Sequence, residues 1–63
     1  MTADRDALQF TLEWVKTNGF AVSGTDVVTE LLPITRHVDD IVDREDRLRA
    51  AVARVESRRL ALV

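Results

Sequence analysis

The chain contains no cysteine, only one proline and only two glycines among its 63 residues. Without cysteine, neither a disulfide nor a thiolate metal site can stabilise it. A chain this short buries a small core and usually depends on a cross-link, a metal or an oligomer for its stability. We therefore expect additional burial to come from a second copy or from another protein.

Long apolar runs are also missing. No stretch approaches the roughly 20 apolar residues of a membrane-spanning helix, and no charged-then-apolar leader opens the chain. We expect no membrane association, and a protein of the cytoplasm or of a soluble assembly such as a virion. Arginine outnumbers lysine eight to one. Such a ratio is typical of the codon bias of bacteria and phages with GC-rich genomes.

Residues for catalysis are sparse. The two serines are Ser23, at an expected helix cap, and Ser57, on an expected helix, so neither lies beside an obvious base. Gly19 and Gly24 do not form a phosphate-binding loop. We expect no enzymatic activity and no cofactor.

Metal binding is not expected either. The single histidine, His37, and Asp40 are three residues apart and could share one helix face, but two ligands do not make a site. A run of acids follows and lacks the glycine turn of a calcium loop, so a solvated acidic face is expected: Asp39, Asp40, Asp43 and Asp46.

The first 18 residues predict an amphipathic helix, over about 3–18. Leu8, Leu12 and Val15 share one stripe, and Gly19 suits the left-handed position after the helix, with Phe20 packing back on Val15. Trp14 is expected as a core anchor, or else as an exposed hot spot for a partner. A β-hairpin pairing about 9–17 with 20–23 is the alternative, because Asn-Gly also favours a hairpin turn.

A short helical turn is expected over about 25–32. Ser23 lies three residues before Asp26 as in a capping box, and Thr25 is an alternative cap. Pro33 disfavours helix at Leu32, so the chain is expected to break there, or else to kink.

Residues 33–62 predict one long helix with a heptad seam. The seam places 38, 45, 52 and 59 at its first position and 34, 41, 48, 55 and 62 at its fourth. The fold class is therefore all-α, a helical hairpin in a single domain, 1–63, with an N-terminal part, 1–32, and a heptad-patterned part, 33–63.

The predicted partner interface follows from the lengths of the two predicted helices. A first helix of about 16 residues spans ~24 Å and covers about half of the long helix. Ile34, Val38 and Ile41 are then expected in the chain's own core. The residues beyond are expected to face a partner: Glu45, Leu48, Val52, Val55, Arg59 and Leu62.

The charges at Glu45 and Arg59 bear on the orientation of the partner helix, because a charged seam residue lowers stability unless it is paired. An antiparallel pairing centred near Val52 brings Glu45 close to Arg59 of a second copy. We expect an antiparallel dimer or small bundle, with another helical protein as the alternative partner.

The expected function is accordingly that of a non-catalytic interaction or structural protein, an accessory subunit of a phage or bacterial assembly. The alternative is a small nucleic-acid-binding regulator, either helix-turn-helix or antitoxin-like. Its phosphate contacts would be made by the C-terminal arginines: Arg47, Arg54, Arg58 and Arg59.

Overall fold

The computed structural model describes the backbone of residues 2–61 and the side chains of residues 5–61. The described chain is all-α, as predicted. Its elements are α1 (Thr2–Asn18), α2 (Gly24–Asp26), a π-helical segment (Val27–Leu31), α3 (Leu32–His37) and α4 (Ile41–Ala61). The elements from Gly24 to His37 follow one another without interruption, and we call them the middle helix. The described chain thus has three helices in succession.

The end of α1 is the one that the sequence predicts. Gly19 has a φ of 73°, in the left-handed region that favours glycine. The Gly19 N–H donates to the carbonyl of Lys16 at 3.1 Å, and the Phe20 N–H donates to the carbonyl of Val15 at 3.1 Å. These two bonds form a Schellman motif. The alternative hairpin over 9–23 does not form, because residues 9–18 are helical.

The middle helix is capped by Ser23, whose Oγ accepts a hydrogen bond from the Asp26 N–H at 3.2 Å. The same hydroxyl donates to Asp26 Oδ2 at 3.1 Å. Ser23 rather than Thr25 is therefore the cap, and the acid three residues on completes a variant of the predicted capping box.

The predicted break at Pro33 is wrong. The helix continues through Pro33, and it widens to π geometry over the five residues before Leu32. In a regular α-helix the proline ring would clash with the carbonyl of Thr29, four residues earlier. The Leu32 N–H instead bonds to the carbonyl of Val27, five residues back. The wider turn gives the ring space, so the chain remains helical to His37.

The break lies at residues 38–40, inside the long helix predicted over 33–62. Val38 is extended, with φ −109° and ψ 109°. Asp40 Oδ2 accepts from the Asp43 N–H at 2.8 Å, and the Asp40 carbonyl accepts from the Arg44 N–H at 2.8 Å. Asp40 is therefore the N-cap of a new helix, and one long helix is replaced by α3 and α4.

One core joins the three helices. Its buried apolar side chains come from both halves of the sequence: Val15, Val27, Leu31, Leu48, Ala51, Val52 and Val55. Leu8, Trp14, Phe20, Val22 and Ile34 pack against this core while remaining partly exposed. The middle helix contacts both α1 and α4, so it is a third packing layer rather than a connecting turn.

A pair of hydroxyl groups, one of them fully buried, links α1 to the middle helix. Thr11 is fully buried, and its Oγ1 donates to the Ala7 carbonyl at 2.7 Å. Thr11 Oγ1 also lies 2.8 Å from Thr35 Oγ1. Because one hydroxyl has one proton to give, Thr35 is the donor of this second bond. The contact fixes the relative position of α1 and α3 without leaving a buried polar group unpaired.

Candidate interaction surface

The apolar residues predicted to face a partner lie inside the chain. Leu48, Val52 and Val55 are each 1% exposed. The prediction failed because it allowed only the first helix to cover the C-terminal one, whereas Val27 and Leu31 of the middle helix form one buried cluster with Leu48 and Val52. Leu62 lies outside the described residues.

The prediction for Ile41 is wrong in the opposite sense. Ile41 was expected in the core and is 73% exposed. The heptad count ran through residues 38–40 as if they were helical, and the break there changes the direction in which Ile41 points. Val38 is half-buried, and Ile34 packs at the edge of the core.

Glu45 and Arg59 both have contacts within the chain. The Trp14 indole N–H donates to Glu45 Oε2 at 2.6 Å, and Arg49 Nη2 donates to Glu45 Oε1 at 2.8 Å. Arg59 Nη1 donates to the Ala21 carbonyl at 2.9 Å. Glu45 is therefore ion-paired and hydrogen-bonded within the chain, and Arg59 is hydrogen-bonded to a backbone carbonyl of the same chain.

Aromatic rings surround the Glu45–Arg49 pair. The Trp14 and Phe20 ring centroids are 5.3 Å apart, and the Arg49 guanidinium carbon lies 5.9 Å from each centroid. Arg49 Nη2 also donates to Asn18 Oδ1 at 3.1 Å. Trp14 is thus half-buried and held in place by α4, which fits the core-anchor expectation better than that of a free hot spot.

The arginines of the nucleic-acid alternative differ in their contacts. Arg47 pairs with Asp43 at 3.0 Å, and Arg58 lies 3.5 Å from Glu30. Arg59 donates a hydrogen bond to the Ala21 carbonyl. Arg54 alone of the four has no polar partner among residues 5–61. An open groove of about 390 Å³ lies beside it, between the middle helix and α4.

The side of α4 turned away from the core carries two of the exposed apolar residues of this helix, Val42 and Leu60. We call it the outward face and define it by seven side chains that are all exposed: Val42, Asp46, Ala50, Ala53, Arg54, Ser57 and Leu60. Val42 is 70% exposed and Leu60 is 76% exposed. They are 18 residues apart, about five helical turns, so they point the same way from opposite ends of α4.

The outward face also carries two unpaired charges of opposite sign. Neither the Asp46 carboxylate nor the Arg54 guanidinium has a hydrogen bond or an ion pair with any group of residues 5–61. They are eight residues apart, and Ala50 lies midway between them. The outward face therefore carries an acid near its start, a base near its end and the small side chain of Ala50 at its centre.

Within the described residues, no group of three or more metal-binding side chains comes together. His37 ends α3 and Asp40 caps α4, so they do not share the helix face that their spacing would have allowed. Asp43 pairs with Arg47. Ser23 is a helix cap, and Ser57 is exposed on α4.

No helix in the described part of the chain has both the length and the apolar character needed to cross a membrane. No protein-family model, curated protein or solved structure matches the chain.

Sequence reasoning did not identify the outward face, although its signal was available. Val42 and Leu60 share one helix face, yet neither belongs to the heptad seam on which the prediction concentrated. The opposite charges at Asp46 and Arg54 lie on that same side of α4. A helical projection begun at Ile41 would have separated this second stripe from the buried one.

Proposed function

We propose that this chain is a non-catalytic helical interaction protein that self-associates through the outward face of α4. It would serve as a structural or accessory part of a larger assembly. The observation that carries the proposal is the exposure of Val42 and Leu60 at 70% and 76%, on a helix whose opposite side buries Leu48, Ala51, Val52 and Val55. Apolar side chains held on one rigid face are typical of a surface that another helix covers.

Burial energetics support this assignment. Covering a Leu or Val side chain contributes roughly 1.5–3 kcal/mol. Two such residues from each of two copies therefore offer several kcal/mol of association free energy, before the entropic cost of association is subtracted. The chain's own core does not use them, so self-association requires no rearrangement of that core.

Nucleic-acid binding is the weaker proposal. Phosphate contacts would compete with the bonds that Arg47, Arg58 and Arg59 make inside the chain. Arg54 is the one arginine of the four that is free to contribute without such a loss, and the chain has a net charge of −2. A single free arginine supports only a small electrostatic contribution.

The mass of the protein in solution tests the proposal. Light scattering at micromolar concentration should give a multiple of the 7.1 kDa chain mass. Val42→Asp and Leu60→Asp should each return the mass toward 7.1 kDa while leaving the helical circular dichroism unchanged, since both side chains are already exposed.

Leu12→Asp is the matched control. Leu12 is 45% exposed on α1, away from the outward face, so its replacement should leave the mass of the complex unchanged. A folded wild-type chain that remains at 7.1 kDa throughout the concentration range would overturn the proposal.

A further inference from the structure

We infer that two copies pair antiparallel through α4, with Ala50 at the two-fold axis and Asp46 of each copy opposite Arg54 of the other. This inference rests on the self-association proposed above. It adds the orientation of the partner helix and the side chains that set its register.

The charges of the outward face favour this orientation. Asp46 and Arg54 are exposed, oppositely charged and without a partner among the described residues. They lie four residues before and four residues after Ala50. Rotation by 180° about an axis at Ala50 therefore places each Asp46 opposite an Arg54, and both pairs form at once. A parallel pairing would instead place Asp46 beside Asp46 and Arg54 beside Arg54.

The apolar residues at the two ends of the outward face also match in this orientation. An axis at Ala50 places Val42 of one copy opposite residue 58 of the other, two residues from Leu60. That offset is about 3 Å along the helix, within reach of a leucine side chain. Both ends of the pair thus bury an apolar contact between Val42 and Leu60. The centre is lined by Ala50, Ala53 and Ser57, whose small side chains let two helices approach closely.

The antiparallel arrangement also closes the assembly at two chains. A surface that complements itself under a two-fold rotation leaves no unpaired end, so assembly stops at the dimer. A head-to-tail contact between the Val42 end of one copy and the Leu60 end of the next would leave both outer ends free and would propagate into a filament. Only the antiparallel arrangement satisfies Asp46 and Arg54 of both copies within two chains.

Cysteine cross-linking tests the orientation, and the absence of natural cysteine makes the experiment clean. The variants are Ala50→Cys, Val42→Cys and Leu60→Cys, each oxidised under mild conditions and analysed on non-reducing gels. A disulfide needs Cα atoms within about 7 Å. In the antiparallel pair the two copies of residue 42 are offset by 16 residues, or about 24 Å along the axis.

The expected result is therefore asymmetric. Ala50→Cys should cross-link with itself, whereas Val42→Cys alone and Leu60→Cys alone should not. A mixture of Val42→Cys and Leu60→Cys chains should yield the mixed dimer. Cross-linking of Val42→Cys with itself would overturn the antiparallel orientation while leaving self-association intact. A chain that is monomeric and cross-links at none of these positions would instead overturn the proposed function.

A charge exchange tests the register. Asp46→Arg and Arg54→Asp should each weaken association by about tenfold or more, because each creates two like-charge contacts in the dimer. The doubly exchanged chain, Asp46→Arg with Arg54→Asp, should recover most of the wild-type dissociation constant. Asp39→Arg, which changes an exposed acid in the break before α4, is the control and should have a smaller effect. Failure of the double exchange to recover association would exclude the Asp46–Arg54 pairing.

Discussion

The carboxylate of Glu45 connects α4 to α1 through polar contacts. One oxygen accepts the Trp14 indole N–H at 2.6 Å, and the other accepts from Arg49 at 2.8 Å. Arg49 extends the network to Asn18 on α1. A charge at this position is tolerated because both of its oxygens have donors and because the side chain stays 40% exposed to water. The network orients Trp14 against the core edge.

Replacing Glu45 should test that role. Glu45→Ala removes the acceptor of the Trp14 N–H and one partner of Arg49, and we expect the free energy of unfolding to fall by about 1 kcal/mol, a value reduced for the exposure of the pair. Urea titration followed by Trp14 fluorescence measures it, since Trp14 is the single tryptophan. The native emission should also shift to the red as the indole gains water.

Glu56→Ala is the matched control for this change. Glu56 is an exposed glutamate on the same helix without a polar partner in the part of the chain that the structure describes. Its removal should leave both the unfolding free energy and the emission maximum nearly unchanged. Equal effects of the two substitutions would mean that the Trp14–Glu45 bond contributes nothing measurable.

At the scale of the elements, Asp40 sets where α4 begins. Its carboxylate accepts the Asp43 N–H at 2.8 Å, which satisfies one of the free donors of the first helical turn. Its negative charge also lies at the positive end of the α4 dipole. Val38 is extended just before it, so the direction of the chain changes within three residues and α4 can lie against the middle helix.

Loss of the cap should destabilise the fold. Asp40→Ala should lower the free energy of unfolding by about 1 kcal/mol, whereas Asp40→Asn should retain most of it because asparagine caps equally well. Chemical denaturation followed by circular dichroism provides the measurement. Asp39→Ala removes a neighbouring exposed acid and should have little effect. A loss as large for Asp39→Ala as for Asp40→Ala would point to a general charge effect instead.

The elements differ in how well the sequence predicts them. The end of α1 and the start of the middle helix were predicted correctly because Gly19 and Ser23 act on their immediate neighbours. The break at 38–40 was missed because Val38 and Ile41 fit the heptad pattern that runs across it. The signal for the break was Asp40 with Asp43 three residues later, a local cap that a longer periodicity concealed.

For the whole molecule, the difficulty was to predict which segment covers which face. The apolar periodicity of α4 identified Leu48, Val52 and Val55 as one buried stripe, and they are buried. It could not tell whether a second chain or the same chain covers them. The answer depends on the middle helix, which continues through Pro33 and places Val27 and Leu31 in the core. The apolar periodicity of a helix indicates which of its faces is buried. Which segment covers that face depends on tertiary packing.

Two leucines on α4 distinguish the core of the chain from the proposed interface, because one lies in each. Leu48 is 1% exposed and Leu60 is 76% exposed. Leu48→Ala should lower the free energy of unfolding by about 2–5 kcal/mol, through the lost burial and the cavity left behind. Leu60→Ala should change it by less than about 0.5 kcal/mol when the protein is dilute enough to be monomeric. Urea titrations at several protein concentrations measure both values.

The two substitutions should also differ in their dependence on concentration. Because a dimer stabilises its folded chains by mass action, wild-type stability should rise with protein concentration, and Leu60→Ala should reduce that rise. If Leu48→Ala is too unstable to fold, Leu48→Met keeps the volume and should cost less than about 1.5 kcal/mol. The assignment would be wrong if the Leu48 variants left the dilute chain as stable as the wild type while abolishing its association. Leu48 would then be a partner contact, as the heptad pattern first suggested.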